Sequence, residues 1–373
     1  MIASDPARPR EPGTSTPSQE PDAASDPGAA HQSESVGQIA ERAAQTPATR
    51  PHAIPASRSV NVSGLLIVDK PTGVTSHDVI DVVRRRFREK GAGHLGTLDP
   101  AASGLLAVAL GAATRCVTVW QGGEKTYEAT LRLGVTTKTQ DTTGEVIHER
   151  PVLVNEDQLR EVSRQFEGDL MQVPPMVSAL RVGGERLYRL ARRGITVERE
   201  PRAVHIVSWE WLEFNLPLAT FRVRCSGGTY VRTLAHDLGE RLGTGAALHA
   251  LRRVKSAPFD LSRSVTVREL YELDPEVAWS RAGIPLDRAL ESLPALVLDD
   301  SGVRAIGHGG VIELDAGQAR ALPLDGSPRS IVFRDPLGHA LALGDVRADG
   351  ATWRARPHVV FPWAVREGHA EER

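Results

Sequence analysis

Large apolar residues are sparse over residues 1–58, which are rich in Pro, Ala, Ser, Thr and Gln and hold no sustained periodicity. Such a segment buries too little surface to offset its ordering entropy, so it reads as a disordered extension with one short helical stretch near residues 36–44. The pattern changes at Gly64-Leu-Leu-Ile-Val-Asp-Lys-Pro, a strand-like run ended by Pro71. Thr75 or Ser76 then caps a helix whose apolar positions Val79, Ile80, Val83 and Phe87 share a face, and Gly91 stands where it stops. Its outer face carries Arg84, Arg85, Arg86, Arg88 and Lys90, ordinarily the mark of a solvated surface. Residues 105–110 read as a strand and 112–120 as a helix. In residues 125–134, Thr126, Glu128, Thr130 and Arg132 alternate with Tyr127, Ala129, Leu131 and Leu133, the period of a half-buried strand. Residues 136–144 form a polar loop containing Asp141, 155–167 a helix capped by Asn155, and 203–212 and 219–225 two further strands. A glycine turn at 227–228 hands the second of these to a helix with Arg232 in its first turn. A cation there opposes the helix dipole, so a paired carboxylate is expected.

From about residue 291 the pattern becomes short strands and turns, which reads as a small β-barrel or sandwich, and from Trp363 the chain reads as frayed. The resulting division is an extension (1–58), a main domain (59–290) with an arginine-rich insert around 173–202, a small β domain (291–365) and a tail (366–373). At 373 residues the chain is long enough for two domains. No apolar run is long enough to span a bilayer and the amino terminus lacks a signal peptide's apolar core, so a cytoplasmic location is expected. Cys116 and Cys225 have no metal-ligand spacing and read as small buried hydrophobes; no metal is implied. The net charge of −2 conceals a basic middle between two acidic ends, a feature that suits a polyanionic partner.

The chemistry concentrates in residues 91–104, Gly-Ala-Gly-His-Leu-Gly-Thr-Leu-Asp-Pro-Ala-Ala-Ser-Gly. An isolated Asp-Pro usually starts a turn. Here Gly93, Gly96 and Gly104 bracket Asp99, and glycine lets another molecule come close to the backbone, so the carboxylate is presented rather than merely solvated. In the insert, Arg186, Arg189, Arg192, Arg193 and Arg199 surround Tyr188, a mixture that suits an RNA backbone with an unstacked base and also an ordinary amphipathic helix.

Four blocks, Val68-Asp-Lys-Pro, Gly93-His-Leu-Gly-Thr-Leu-Asp-Pro, Lys125-Thr-Tyr and Gly228-Thr-Tyr-Val-Arg-Thr, stand in the order found in the tRNA pseudouridine-55 synthases, and the chain resembles that family from about residue 64 to 256 and onward to its end. The resemblance implies an α+β pseudouridine synthase fold, a mixed and mainly antiparallel sheet flanked by helices, followed by a small PUA-like β-barrel. It also implies isomerisation of uridine to pseudouridine in the T arm of tRNA, without metal or cofactor. The tRNA, held by its T arm and acceptor side, is then the partner; no obligate protein partner is implied and a monomer is expected. By the same resemblance Asp99 is the catalytic acid and Arg232 its partner. His94 enters the space a flipped base leaves, Tyr127 stacks on that base and assists proton transfer at C5, and Leu251 packs on its other side. Lys70 supports the core near the site, and Tyr230 and Asp141 complete the substrate-binding candidates. Each has a plainer alternative: a loop histidine, a packing aromatic, a core leucine. Asp99 either attacks C1′ or removes a proton from C2′, and the residues leave both open. The chain departs from the family at Ser103, Val177 and Arg181, often Thr, an aromatic and Lys in relatives, which bears on the RNA-binding insert. Alternative readings are a synthase for another RNA stem-loop and an RNA-folding chaperone in which catalysis is secondary. A glycosidase would need a second acid.

Overall fold

In the strands Gly64–Lys70 and Ala102–Leu110 successive residues feed two different cores. Leu65, Ile67, Leu105, Ala107 and Ala109 enter one; Leu66, Val68, Leu106, Val108 and Leu110 enter the other. A sheet covered on both faces explains why these runs are apolar without alternation. The computed structural model describes residues 62–178, 180–322, 330–349 and 352–367; the extension at 1–58, its stretch near 36–44 and the last six residues lie outside the described residues.

Eleven described strands form one mixed sheet. Its main path runs Val265–Thr266, Gly64–Lys70, Ala102–Leu110, Ala246–Ser256, Lys125–Leu133, Leu218–Cys225, Arg202–Asn215 and Gly168–Gln172. Pairing is parallel between the first two strands and between Ala102–Leu110 and Ala246–Ser256, and antiparallel elsewhere along the path. The sheet is therefore mixed and mainly antiparallel, as expected. Helix Val231–Arg241 packs on it through Leu234, Ala235 and Leu238, in a core shared with Ala129, Leu131 and Leu133.

The helix Ser76–Phe87 starts at Thr75, whose hydroxyl accepts from the Asp78 amide while the Asp78 carboxylate accepts from the Thr75 amide. Val79, Ile80, Val83 and Phe87 are all buried. Its end differs from the sequence reading. Arg88, not Gly91, takes the left-handed conformation at φ 53°, and its amide closes on the Arg84 carbonyl. Arg86 also leaves the solvated face: it is buried and donates to the Leu273 carbonyl. The helix read over 112–120 is a 3₁₀ turn, Gly111–Cys116, followed by the short helix Val117–Gln121. Asn155 caps Glu156–Arg164 as expected, in a reciprocal pair with Gln158.

The carboxy-terminal strands Ala295–Val297, Ser330–Arg334, Ala340–Asp349, Thr352–Val360 and Ile312–Leu314 lie side by side in that order as a curled half-barrel. One side has its own core around Phe333, Leu341 and Ile306. The other is continuous with the main domain, where Val332, Leu343 and Phe361 pack with Leu65, Leu105 and Trp120. Trp363, read as frayed, belongs to helix Pro362–Glu367 and donates its indole N–H to the Ala340 carbonyl at 2.7 Å. Cys116 and Cys225 are buried and free, as read. No helix among the described residues is long and apolar enough to cross a membrane.

Candidate active site

Asp99 sits in the loop between strands Ala92–His94 and Ala102–Leu110, the first too short and glycine-rich to be legible in sequence. The loop is clamped from both sides. Ser76 donates its hydroxyl to the Leu98 carbonyl and accepts from the Leu98 amide, both at 2.9 Å, and the Gly73 amide donates to the Pro100 carbonyl at 2.8 Å. From the opposite side Arg253 Nη2 donates to the Gly96 carbonyl at 3.0 Å. Gly104 closes the loop with φ 99°, and a Cβ there would lie 2.3 Å from the Arg253 carbonyl oxygen. Only glycine lets these two strands pair at that point.

Arg232 supplies the counter-charge. Its side chain is 6% exposed and reaches Asp99 Oδ2 at 3.0 Å and Asp141 Oδ2 at 3.6 Å. It also donates to the carbonyls of Thr139 at 3.1 Å and Val177 at 2.8 Å. The carboxylate demanded by a cation in the first helical turn is thus present twice. Asp141 is itself held by the hydroxyls of Thr139 and Thr143 and the Thr143 amide. Tyr230, at the N-cap, makes no side-chain cap; the Gln172 amide group instead binds its backbone N–H and carbonyl at 2.8 and 3.1 Å. Burial pushes the Tyr230 phenol above its ordinary range, opposed by the Ser178 hydroxyl and Arg232.

A cleft of about 1500 Å³ opens over this arrangement, with His94 and Asp99 on one side and Arg186, Tyr188, Arg189 and Arg192 of the insert on the other. The insert forms a small hairpin, Arg181–Val182 with Glu185–Arg186, and the short helix Leu187–Arg192. Arg192 stacks over the Tyr188 ring at 5.7 Å. One acid, one bridging guanidinium and an arginine-lined wall suit a polyanion that must present one sugar to one carboxylate. Among the described residues no cluster of three or more His, Cys, Asp or Glu is arranged to hold a metal ion.

The TruB family pseudouridylate synthase N-terminal domain matches residues 84–231, and the tRNA pseudouridylate synthase B C-terminal domain matches residues 232–297. The chain belongs to the TruB family. The tRNA pseudouridine synthase B of Dechloromonas aromatica is 44% identical over 278 residues, 74% of this chain and 92% of that protein. Its counterpart in Geobacter sulfurreducens is 46% identical over 249 residues, 66% and 82% of the two chains. Among solved structures, a chain of a Cbf5-Nop10-Gar1 complex matches with a TM-score of 0.60 and 29% identity, covering 80% of this chain and 84% of that one. A chain of an archaeal box H/ACA sRNP Nop10-Cbf5 complex matches with a TM-score of 0.59 and 28% identity, covering 81% and 88%.

In this TruB chain the remaining sequence candidates surround the acid at different depths. Lys70 is fully buried below it, donating to the carbonyls of Pro71 at 2.9 Å and Val74 at 2.8 Å. Burial lowers its pKa to about 8, against the opposing pull of Asp99. Below pH 8 the lysine is charged folded or unfolded and the burial penalty is fully present. From pH 8 to 10.5 the folded form sheds its proton while the unfolded form keeps it, so this contribution to stability rises with pH. The stability of the wild type relative to Lys70→Met is therefore expected to rise by on the order of 3 kcal/mol across that window in urea unfolding; a flat difference would contradict the assignment. His94 is half-buried with Nδ1 lacking a partner among the described residues, and burial, then Arg253, holds its imidazole below the ordinary range. Tyr127 is half-buried against the core beneath helix Val231–Arg241. Leu251 is also half-buried there, opposite Ala102 and Ala129, and of the eight candidates only His94 and Asp99 line the cleft itself.

Sequence reasoning missed Arg253. The strand's period of two puts it on the face of Leu251 and turns Arg252 to the other, where Arg252 binds Asp69 through both guanidinium nitrogens at 3.0 and 2.7 Å. That alternation was available within Leu251-Arg-Arg-Val; which face lies inward was not.

Proposed function

We propose that this protein converts uridine to pseudouridine in the T arm of tRNA, with Asp99 as the catalytic carboxylate. The observation that carries the reading is the 3.0 Å contact between Asp99, on the wall of an open cleft, and a buried arginine behind it. Isomerisation breaks the bond between C1′ and N1, turns the uracil and joins C1′ to C5, which loses its proton as N1 gains one. An ionised carboxylate serves either route, adding to C1′ or removing the proton from C2′, and no water enters the product. Arg232 holds the acid in place and balances its charge. The target base must first be everted, at a few kcal/mol on the order of an unstacking energy. His94 is proposed to fill the vacated space, Tyr127 to stack on the base and assist at C5, and Leu251 to support its other side. Lys70, Tyr230 and Asp141 back these residues. The arginines at 186, 189 and 192 are proposed to engage phosphates, and the carboxy-terminal half-barrel the acceptor side.

A second reading, action on another RNA stem-loop, draws on the 26% identity to a chain of an H/ACA RNP bound to substrate RNA. The 44–46% identity to tRNA synthases favours tRNA. Incubation with unmodified tRNA followed by mapping should give one pseudouridine, in the T arm; a product elsewhere, or none, would reject the reading. Deleting residues 1–58 should leave that rate unchanged, since nothing in that segment resembles a site, and a large loss would show the segment to take part.

A further inference from the structure

We propose that Arg253 is a positioning residue for the isomerisation: one buried guanidinium joins the Asp99 loop to the Tyr127 hydroxyl, sets that hydroxyl's direction and favours its anion during proton transfer. The inference rests on the function proposed above. Arg253 is 3% exposed. Its Nε donates to the Leu105 carbonyl at 2.8 Å and its Nη2 to the Gly96 carbonyl at 3.0 Å, so it holds both the loop that bears Asp99 and the strand that follows it. On the neighbouring strand Tyr127 is its direct partner in register, which puts the two side chains on one face, with the guanidinium near enough for its charge to act on the phenol. No carboxylate pairs with Arg253 among the described residues, while Lys70, His94 and Lys125 lie close enough to feel its charge.

A buried cation without a counter-ion is costly, and two carbonyls would be served as well by a neutral donor. The positive charge therefore calls for another beneficiary, and Tyr127 is the group placed to receive it. Guanidinium nitrogens donate and never accept, so a hydrogen bond between the two side chains makes the phenol oxygen the acceptor and leaves its own proton to point elsewhere. The ionisable groups facing Tyr127 are Arg253, Cys225 and Asp99. Burial makes the phenol harder to ionise, Arg253 opposes that, and Cys225, its thiol pushed up to about 11, stays neutral. In the closing step the bond from C5 to hydrogen breaks and its electron pair returns to the ring. The Tyr127 phenol has by then given its own proton to the Asp99 carboxylate, so its phenolate oxygen takes the proton from C5, while Asp99 releases its proton to water and N1 draws one from water. A fixed cation behind the oxygen lowers the energy of the phenolate between those transfers.

The test is a double-mutant cycle read by single-turnover tritium release from C5 and by tRNA affinity. Arg253→Gln should slow release by roughly 10²-fold with affinity within about 2-fold, and move its rise with pH to higher pH. Arg253→Lys, which keeps the charge, should restore most of the pH profile. In a Tyr127→Phe background Arg253→Gln should add little. Losses that multiply in the double variant, or a wild-type rate and pH profile for Arg253→Gln, would overturn the proposal. Should Arg253→Gln fail to fold by circular dichroism, Arg253→Lys takes its place in the cycle: a loss absorbed by Tyr127→Phe supports the proposal and a multiplying loss overturns it. A wild type inactive on tRNA would sink the proposed function and this inference together, whereas multiplying losses in an active enzyme sink this inference alone.

Discussion

With asparagine in place of Asp99, tritium release from uridine labelled at C5 is expected to fall to background, a loss beyond roughly 10⁴-fold, while tRNA binding survives. Asparagine keeps the shape and can still meet Arg232, but its amide neither adds to C1′ nor removes a proton from C2′. Asp141, the second acid on Arg232, is not free to take over, because it is engaged by that arginine and by three donors from residues 139–143. Folding should be nearly untouched. The Asp99 side chain is 43% exposed, and ion pairs in that setting contribute about 1 kcal/mol or less. A melting temperature close to wild type together with lost turnover separates chemistry from folding; turnover comparable to wild type would reject Asp99 as the catalytic acid.

Replacing Arg232 should damage both properties. In Arg232→Gln two acids face one buried position without a counter-charge, and the carbonyls of Thr139 and Val177 lose a donor. Removing one partner of a buried pair costs roughly 3–5 kcal/mol, and the lower end applies here because water reaches Asp99. Single-turnover rates should fall by about 10³-fold as the carboxylate loses its fixed orientation. Arg232→Lys should recover part of the stability and little of the rate, since an ammonium cannot span two acids and two carbonyls at once. Urea unfolding beside single-turnover kinetics reads both quantities, and a variant with wild-type rate would remove Arg232 from the proposed machinery.

What could be read from residues alone follows from how local each determinant is. Thr75 and Asn155 were legible as caps because their partners, Asp78 and Gln158, lie three residues on. The demand of Arg232 for an acid was legible from helix electrostatics, but Asp141 as its second partner was not, since the two meet across the 136–144 loop. Arg86 looked solvated because the carbonyl that receives it belongs to residue 273. Gly91 looked like the helix stop because glycine is the cheapest left-handed residue, yet Arg88 adopts that conformation three residues earlier. The fold class followed from motif order. The strand order did not, since Ala246–Ser256 is inserted between Ala102–Leu110 and Lys125–Leu133 from more than a hundred residues away.

The apolar layer that Val332, Leu343 and Phe361 form with Leu65, Leu105 and Trp120 makes the half-barrel a wall of the main domain rather than a bead on a string. Heat or denaturant should therefore dismantle both in one cooperative event, and a chain cut near residue 290 would leave a greasy flank that invites aggregation.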